Sequence, residues 1–119
     1  MNMTQSFVIS LKPTSWNDIV GKNRWVYMTI KNEWKMATYF AIKQAKLIPI
    51  KEFPITVHIE AHWKEKRVRD IDNIFIKSVL DTLKKTKIIP DDSLKYIECV
   101  ILSGKTGCKK DEMIVTWIE

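Results

Sequence analysis

Lys64, Lys66, Arg67 and Arg69 run directly into Asp70, Asp72 and Asn73; Lys77 follows, and Asp91 and Asp92 stand just after Pro90. A cationic run feeding into clustered carboxylates suits a site that holds a polyanion and a divalent metal together. Mg²⁺ takes oxygen ligands, commonly one or two carboxylates completed by water and phosphate oxygens. Asp70 and Asp72, two residues apart where a strand exit meets a helix start, can converge on one ion. Asp91 or Asp92, returned by that helix, can supply a third oxygen. Carboxylates this close repel each other unless an ion neutralises them. The competing reading is that Asp70 or Asp72 caps the helix and the later pair is an acidic turn.

Lys77 and the basic run extend the same chemistry. Lys77 could contact a scissile phosphate or stabilise charge on a departing oxygen. It could also pair with Asp81 four residues on, a contact worth about 0.2–0.5 kcal/mol. Lys64, Lys66, Arg67 and Arg69 would clamp the adjoining backbone. Each phosphate neutralised adds about −0.9 to the slope of log affinity against log salt. Glu60 is a candidate outer-shell group or ligand. His58 and His62, four apart on one face of the strand, could bind zinc, but no third nitrogen or sulfur ligand accompanies them. The two cysteines, Cys99 and Cys108, are too few for a disulfide scaffold and read as free thiols. No glycine-rich phosphate loop, nucleophile elbow or CxxC pair is present.

Several elements must position these groups. Gln5 to Leu11 alternates as a short strand, and Thr14 to Asn23 has loop chemistry, with Trp16, Trp25 and Tyr27 in or beside it. Thr29 to Lys46 has the period of a helix with Thr29 as cap and Ile30, Trp34, Ala37, Ala41 and Ala45 on its apolar stripe. Lys31, Lys35, Lys43 and Lys46 then face solvent or a phosphate backbone. Ile55 to Trp63 alternates as a half-buried strand, with Thr56, His58, Glu60 and His62 on its polar face. A second helix is expected from Asp70 or Asp72 to about Lys87, with Phe75, Ile76, Val79, Leu80 and Leu83 inward. Leu94 to Leu102 is apolar on both faces, as a central strand would be. Ser103 to Lys110 reads as a hairpin loop, and Met113 to Ile118 as the closing strand. The expectation is an α+β layered fold of order β-α-β-α-β-β, a four-stranded mixed sheet packed by two helices.

The chain has 119 residues and a net charge of +6, and its pI is near 9.3. That length fits a single domain, residues 1–119, with a sizeable core. The positive balance favours a nucleic-acid or other polyanionic partner. No apolar run approaches the roughly 20 residues needed to span a bilayer. No basic region precedes an apolar core at the N-terminus, so a cytoplasmic location is expected.

The segments Arg67-Val-Arg-Asp70-Ile-Asp72-Asn73, Lys77-Ser-Val-Leu-Asp81-Thr-Leu83 and Ile89-Pro-Asp91-Asp92 together resemble the RusA family of Holliday junction resolvases. The resemblance covers the chain well from about Phe53 onward, and more loosely before it through the early strand, the Ser15-x-Asn17 loop and the first helix. It implies a homodimeric endonuclease of the kind common in prophages, cutting four-way DNA junctions in recombination and repair with Mg²⁺ or Mn²⁺. Carried over by position, Asp70, Asp72 and Asp92 are the metal-binding carboxylates and Lys77 the catalytic lysine. Asn73 and Asp91 complete the motif, with Asn73 ordering the helix start. Trp16, Trp25 and the helix around Trp34 are candidates for the dimer surface. The alternatives are a non-catalytic DNA- or RNA-binding module and a nuclease acting mainly on other branched DNA. One departure stands out: three residues, Ile74, Phe75 and Ile76, separate Asn73 from Lys77 where the family has two. An extra residue rotates a regular helix by about 100°. Its absorption is predicted to be local, by a π-bulge or a later helix start.

Overall fold

The computed structural model describes residues 4–118. Strand β1 (Thr4–Ile9) leads through a loop to helix α1 (Arg24–Ala45), then β2 (Ile55–His62), α2 (Lys77–Lys85), β3 (Ile97–Lys105) and β4 (Glu112–Ile118). Short 3₁₀ turns occupy Trp16–Asp18 and Ile71–Asn73. The β-α-β-α-β-β order and the four-stranded mixed sheet with two helices are those expected.

The sheet order is β1-β4-β2-β3. β4 runs antiparallel to both neighbours, β1 and β2, while β2 and β3 are parallel. Alternation on β2 is strict: Ile55, Val57, Ile59 and Ala61 are buried, and the residues between them are half-buried. With Phe7 and Ile9 of β1 and Met113, Val115 and Trp117 of β4 they form one wall of the core. Trp34, Ala41 and Ile42 of α1 and Val79 and Leu83 of α2 form the other. The opposite face of the sheet carries exposed Val8, Ile101 and Ile118. No described helix is long and apolar enough to cross a membrane.

Four expectations change. α1 begins at Arg24 rather than Thr29, because the Asn23 side chain caps it by accepting from the Val26 amide. The Thr29 hydroxyl instead donates to the Trp25 carbonyl inside the helix, so Trp25 and Tyr27 belong to α1 and not to a loop. α2 is shorter than expected, and Phe75 and Ile76 precede it. β3 lies at the sheet edge, not its centre, with Cys99 and Ile101 exposed. Its apolar content misled because periodicity does not report how many neighbours a strand has. Finally, β3 and β4 form no hairpin; β2 lies between them, and the strand β3 itself continues through Gly104 to Lys105.

Candidate metal and nucleic-acid site

β2 delivers Trp63 to the sheet end, and the chain from Lys64 to Ile76 then crosses to α2. The N-terminal loop holds this crossing in place. The Phe75 amide donates to the Thr14 carbonyl at 2.8 Å, and Ser15 and Ile74 form an isolated β-bridge. The Asn73 side-chain amide donates to the Ser15 hydroxyl, and its carbonyl oxygen accepts from the Asn17 amide at 3.2 Å. Trp16 packs edge-on against Phe75 at 5.0 Å. The Trp63 indole donates to the Pro13 carbonyl and the Trp34 indole to the Thr14 hydroxyl. Asn73 therefore ties the turn to the Ser15-x-Asn17 loop rather than capping α2. Thr14, Ser15 and Asn17 are positioning residues that the spacing of the acidic motif did not single out. The signals for them were loop-type residues bracketing Trp16 and the looser resemblance through the Ser15-x-Asn17 loop.

The extra residue is absorbed by a later helix start. Asp70, Ile71, Asp72 and Asn73 make a 3₁₀ turn, Ile74 is extended, and α2 opens at Lys77. The register of Lys77-Ser-Val-Leu-Asp81 is thereby independent of the number of residues before it. Asp70 stands where a cap would stand, yet its side chain makes no capping hydrogen bond. The capping explanation for the acidic pair is therefore not realised. Asp70 and Asp72 are both exposed. Lys77 is exposed too and occupies the first position of α2, where the helix dipole disfavours a cation. Among the described residues neither Lys77, Asp70, Asp72 nor Asp92 takes part in an ion pair, so the Lys77–Asp81 contact is not formed.

The basic run divides. Lys64, Lys66 and Arg67 are exposed. Arg69 instead lies over the Trp63 ring, 4.9 Å from its centre, and reaches Glu65 at 3.4 Å. Only 10% of its side chain is exposed, and its Nε has no hydrogen-bond partner. Lys66, Arg69 and Asp70 line a cleft of about 300 Å³ floored by Trp63, Ile74 and Gly104. A Cβ at Gly104 would come within 3.2 Å of the Trp63 ring, so glycine keeps this cleft open. Arg67 and Arg69 border a second cleft, of about 400 Å³, which Lys12, Asp18 and Glu33 also line. Lys12 pairs with Glu65 at 3.0 Å and holds that carboxyl below its usual range, chiefly through their hydrogen bond.

The remaining candidates lie elsewhere or are already engaged. Asp91 pairs with Lys84 at 3.2 Å, which lowers the Asp91 carboxyl and raises the Lys84 ammonium. Asp92 is exposed on the turn after α2. Glu60 sits on the open sheet face, 3.1 Å from both His62 and Lys105; His62, then Lys105, holds its carboxyl below the usual range. The approach of His62 Nε2 is close but too oblique for a hydrogen bond, while its Nδ1 meets Glu112 at 3.3 Å. His58 bonds the Ser103 hydroxyl, so the two histidines share no common ligand position. Trp34 is fully buried and offers no surface to a second copy; Trp25 is 80% exposed. Cys99 and Cys108 are free.

Among the described residues no three His, Cys, Asp or Glu side chains stand together as a ready metal-holding group. Asp70 and Asp72 share the turn, and Asp92 is not gathered to them. Two carboxylates still fit a Mg²⁺ site of the kind completed by substrate phosphate and water. No family model and no curated protein matches this chain.

Proposed function

We propose that this chain is a RusA-like, Mg²⁺- or Mn²⁺-dependent endonuclease that cuts branched DNA, four-way junctions foremost, as a homodimer. The observation that carries the proposal is the turn from Asp70 to Lys77. It presents two carboxylates and a lysine, none ion-paired among the described residues, and one of them, Asp70, lines a cleft together with Lys66 and Arg69. Unpaired charges of both signs on a turn so firmly tied at Asn73 and Phe75 are poor surface decoration but good substrate contacts. The late start of α2 is in keeping with the reading, because the face that Lys77 takes is set by the helix start and not by the number of residues after Asn73.

In this scheme Asp70 and Asp72 would hold the ion. When bound, the metal supplies Lewis-acid chemistry and activation of water. Lys66 and Arg67 hold the backbone phosphates on either side of the turn. The Arg69 guanidinium, stacked on Trp63, contributes positive charge to the wall of the cleft. Lys77 stabilises negative charge on the departing oxygen. Asn73 positions the carboxylates through Ser15 and Asn17. Asp92 enters as a third ligand through the family resemblance alone. A symmetric dimer would set two such turns across a symmetric junction.

The test is cleavage of a mobile four-way junction with and without Mg²⁺. The parent should cut only with metal. Asp70→Asn should bind the junction and cut at least about 100-fold more slowly, since even partners behind metal ligands are worth ~10–100-fold. Cleavage by Asp70→Asn at the parent rate would overturn the metal assignment. Asp92→Asn in the same assay decides its membership: a comparable loss makes it a ligand, and parent-like cleavage leaves the ion to Asp70 and Asp72. Binding without cleavage by the parent would favour the non-catalytic binding module. Faster cutting of flaps than of four-way junctions would favour the nuclease for other branched forms.

A further inference from the structure

A second basic surface lies away from the carboxylate turn, in a groove of about 500 Å³ between α1 and the end of α2. Lys35, Tyr39 and Lys43 line its α1 side, and Lys85, Thr86 and Lys87 its α2 side. No carboxylate lines it. Among the described residues none of its lysines forms an ion pair. The Lys35 ammonium is held below the ordinary lysine value, first by its side-chain contact with Lys85 and then by that group's like charge; burial and Lys31 add to this, while Asp81 opposes it. Like charges brought this close are relieved by an anion between them.

Lys85, in the last turn of α2, suits the negative end of the helix dipole. The carbonyls of Thr82, Leu83 and Lys84 need no ammonium, since they accept from the amides of Thr86, Ile88 and Lys87, and the dipole accounts for none of the α1 lysines. Lys87 itself adopts φ 62°, a left-handed conformation that favours glycine. A lysine there carries a conformational cost that glycine would avoid. On α1, Lys31, Lys35, Tyr39 and Lys43 recur every four residues and so share one stripe. Lys43 lies 5.4 Å over the Tyr39 ring, extending the row.

We infer that this groove binds the phosphate backbone of nucleic acid as a second, non-catalytic contact surface. Lys35 to Lys43 spans about 12 Å of helix, the length of three to four nucleotides of one duplex strand. A free phosphate would engage only one pair of ammoniums, and the row would be unexplained. The inference rests on the proposed function for its ligand class, but not for the metal chemistry.

The test measures binding of a labelled linear duplex and a four-way junction in EDTA across a salt series, by fluorescence anisotropy. Lys35→Gln/Lys85→Gln should weaken both and flatten the slope of log affinity against log salt by about 1.8, two phosphate contacts at ~0.9 each. Lys87→Gly should flatten it by about 0.9 while raising the melting temperature, which separates lost binding from lost folding. Unchanged slopes in both variants would overturn the inference. Stabilisation of the parent, and not of the double variant, by inorganic phosphate, with DNA affinity unchanged in the variant, would make the groove a small-anion site and overturn it too. Cleavage by the parent with unchanged slopes sinks the groove and leaves the nuclease; altered slopes without parental cleavage sink the nuclease and leave the groove. A parent that binds no nucleic acid overturns both.

Discussion

Glu60 with His62 on β2, and Asp70 with Asp72 on the following turn, are both pairs of titratable residues spaced two apart, the second pair beginning eight positions after the first ends. Their settings are opposite. On the open sheet face Glu60 is flanked by His62 and Lys105, and His62 by Glu112. These groups hold neighbouring strands together and have little capacity left for a ligand. On the turn, Asp70 and Asp72 have no cationic partner among the described residues, although Lys66, Arg67 and Arg69 lie just before them in the chain. The nearest arginine is drawn away to Trp63 and Glu65. A cluster of titratable residues becomes a candidate site when the fold leaves it unpaired, and a structural network when the fold pairs it.

Lys77 gives the largest effect by which this contrast can be broken. Lys77→Ala should lower junction cleavage by about 10²–10³-fold, as loss of a charge-stabilising donor does. Binding in EDTA should persist. Stability should hold or rise, because a cation at a helix start opposes the dipole by about 0.3–1 kcal/mol. A kinetic comparison alongside a thermal melt checks both halves; parent-like cleavage would make Lys77 another surface lysine.

Arg69 and Arg67 sharpen the contrast within the basic run. Arg69→Ala removes a largely desolvated stack on Trp63 and should destabilise the fold by about 1–2 kcal/mol in chemical denaturation. Arg67→Ala, at an exposed position, should leave stability within about 0.5 kcal/mol and weaken DNA binding instead. Equal stability losses in the two variants would contradict the division of the run.

Glu60 should give the smallest effect. Its folded carboxyl lies below the ordinary 4.5. Its contribution is therefore present above pH 4.5 and is lost as pH falls through the lower, folded value. Glu60→Gln should make stability less steep on pH below 4.5, cost less than about 1 kcal/mol at neutral pH, and leave cleavage intact. A large cleavage loss in that variant would place Glu60 in the site after all.

Much of this was legible in the residue order. The alternation of Ile55 to Ala61 declared a one-sided strand, since side chains on a strand point to opposite faces in turn. The Asp70-x-Asp72-Asn73 motif was expected to open the second helix and instead forms a turn before it; of the two expected ways to absorb the residue before Lys77, a π-bulge or a late helix start, the chain adopts the second. The start of α1 was missed because Asn23 reads equally as loop or cap until the chain beyond it is seen to be helical. The edge position of β3 was missed because Cys99 and Ile101 are apolar whether or not anything covers them.

The sequence by itself determined local period, element order and the supply of charged groups, because each depends on residues near one another in the chain. Tertiary structure alone decided which charges are paired. It placed β4 between β1 and β2, brought Ser15 to Asn73, turned Arg69 onto Trp63 and set Lys35 and Lys85 along one groove. Every one of those contacts joins groups whose proximity depends on packing rather than on a local repeat, and Coulomb energy follows distance in space, not position in the chain.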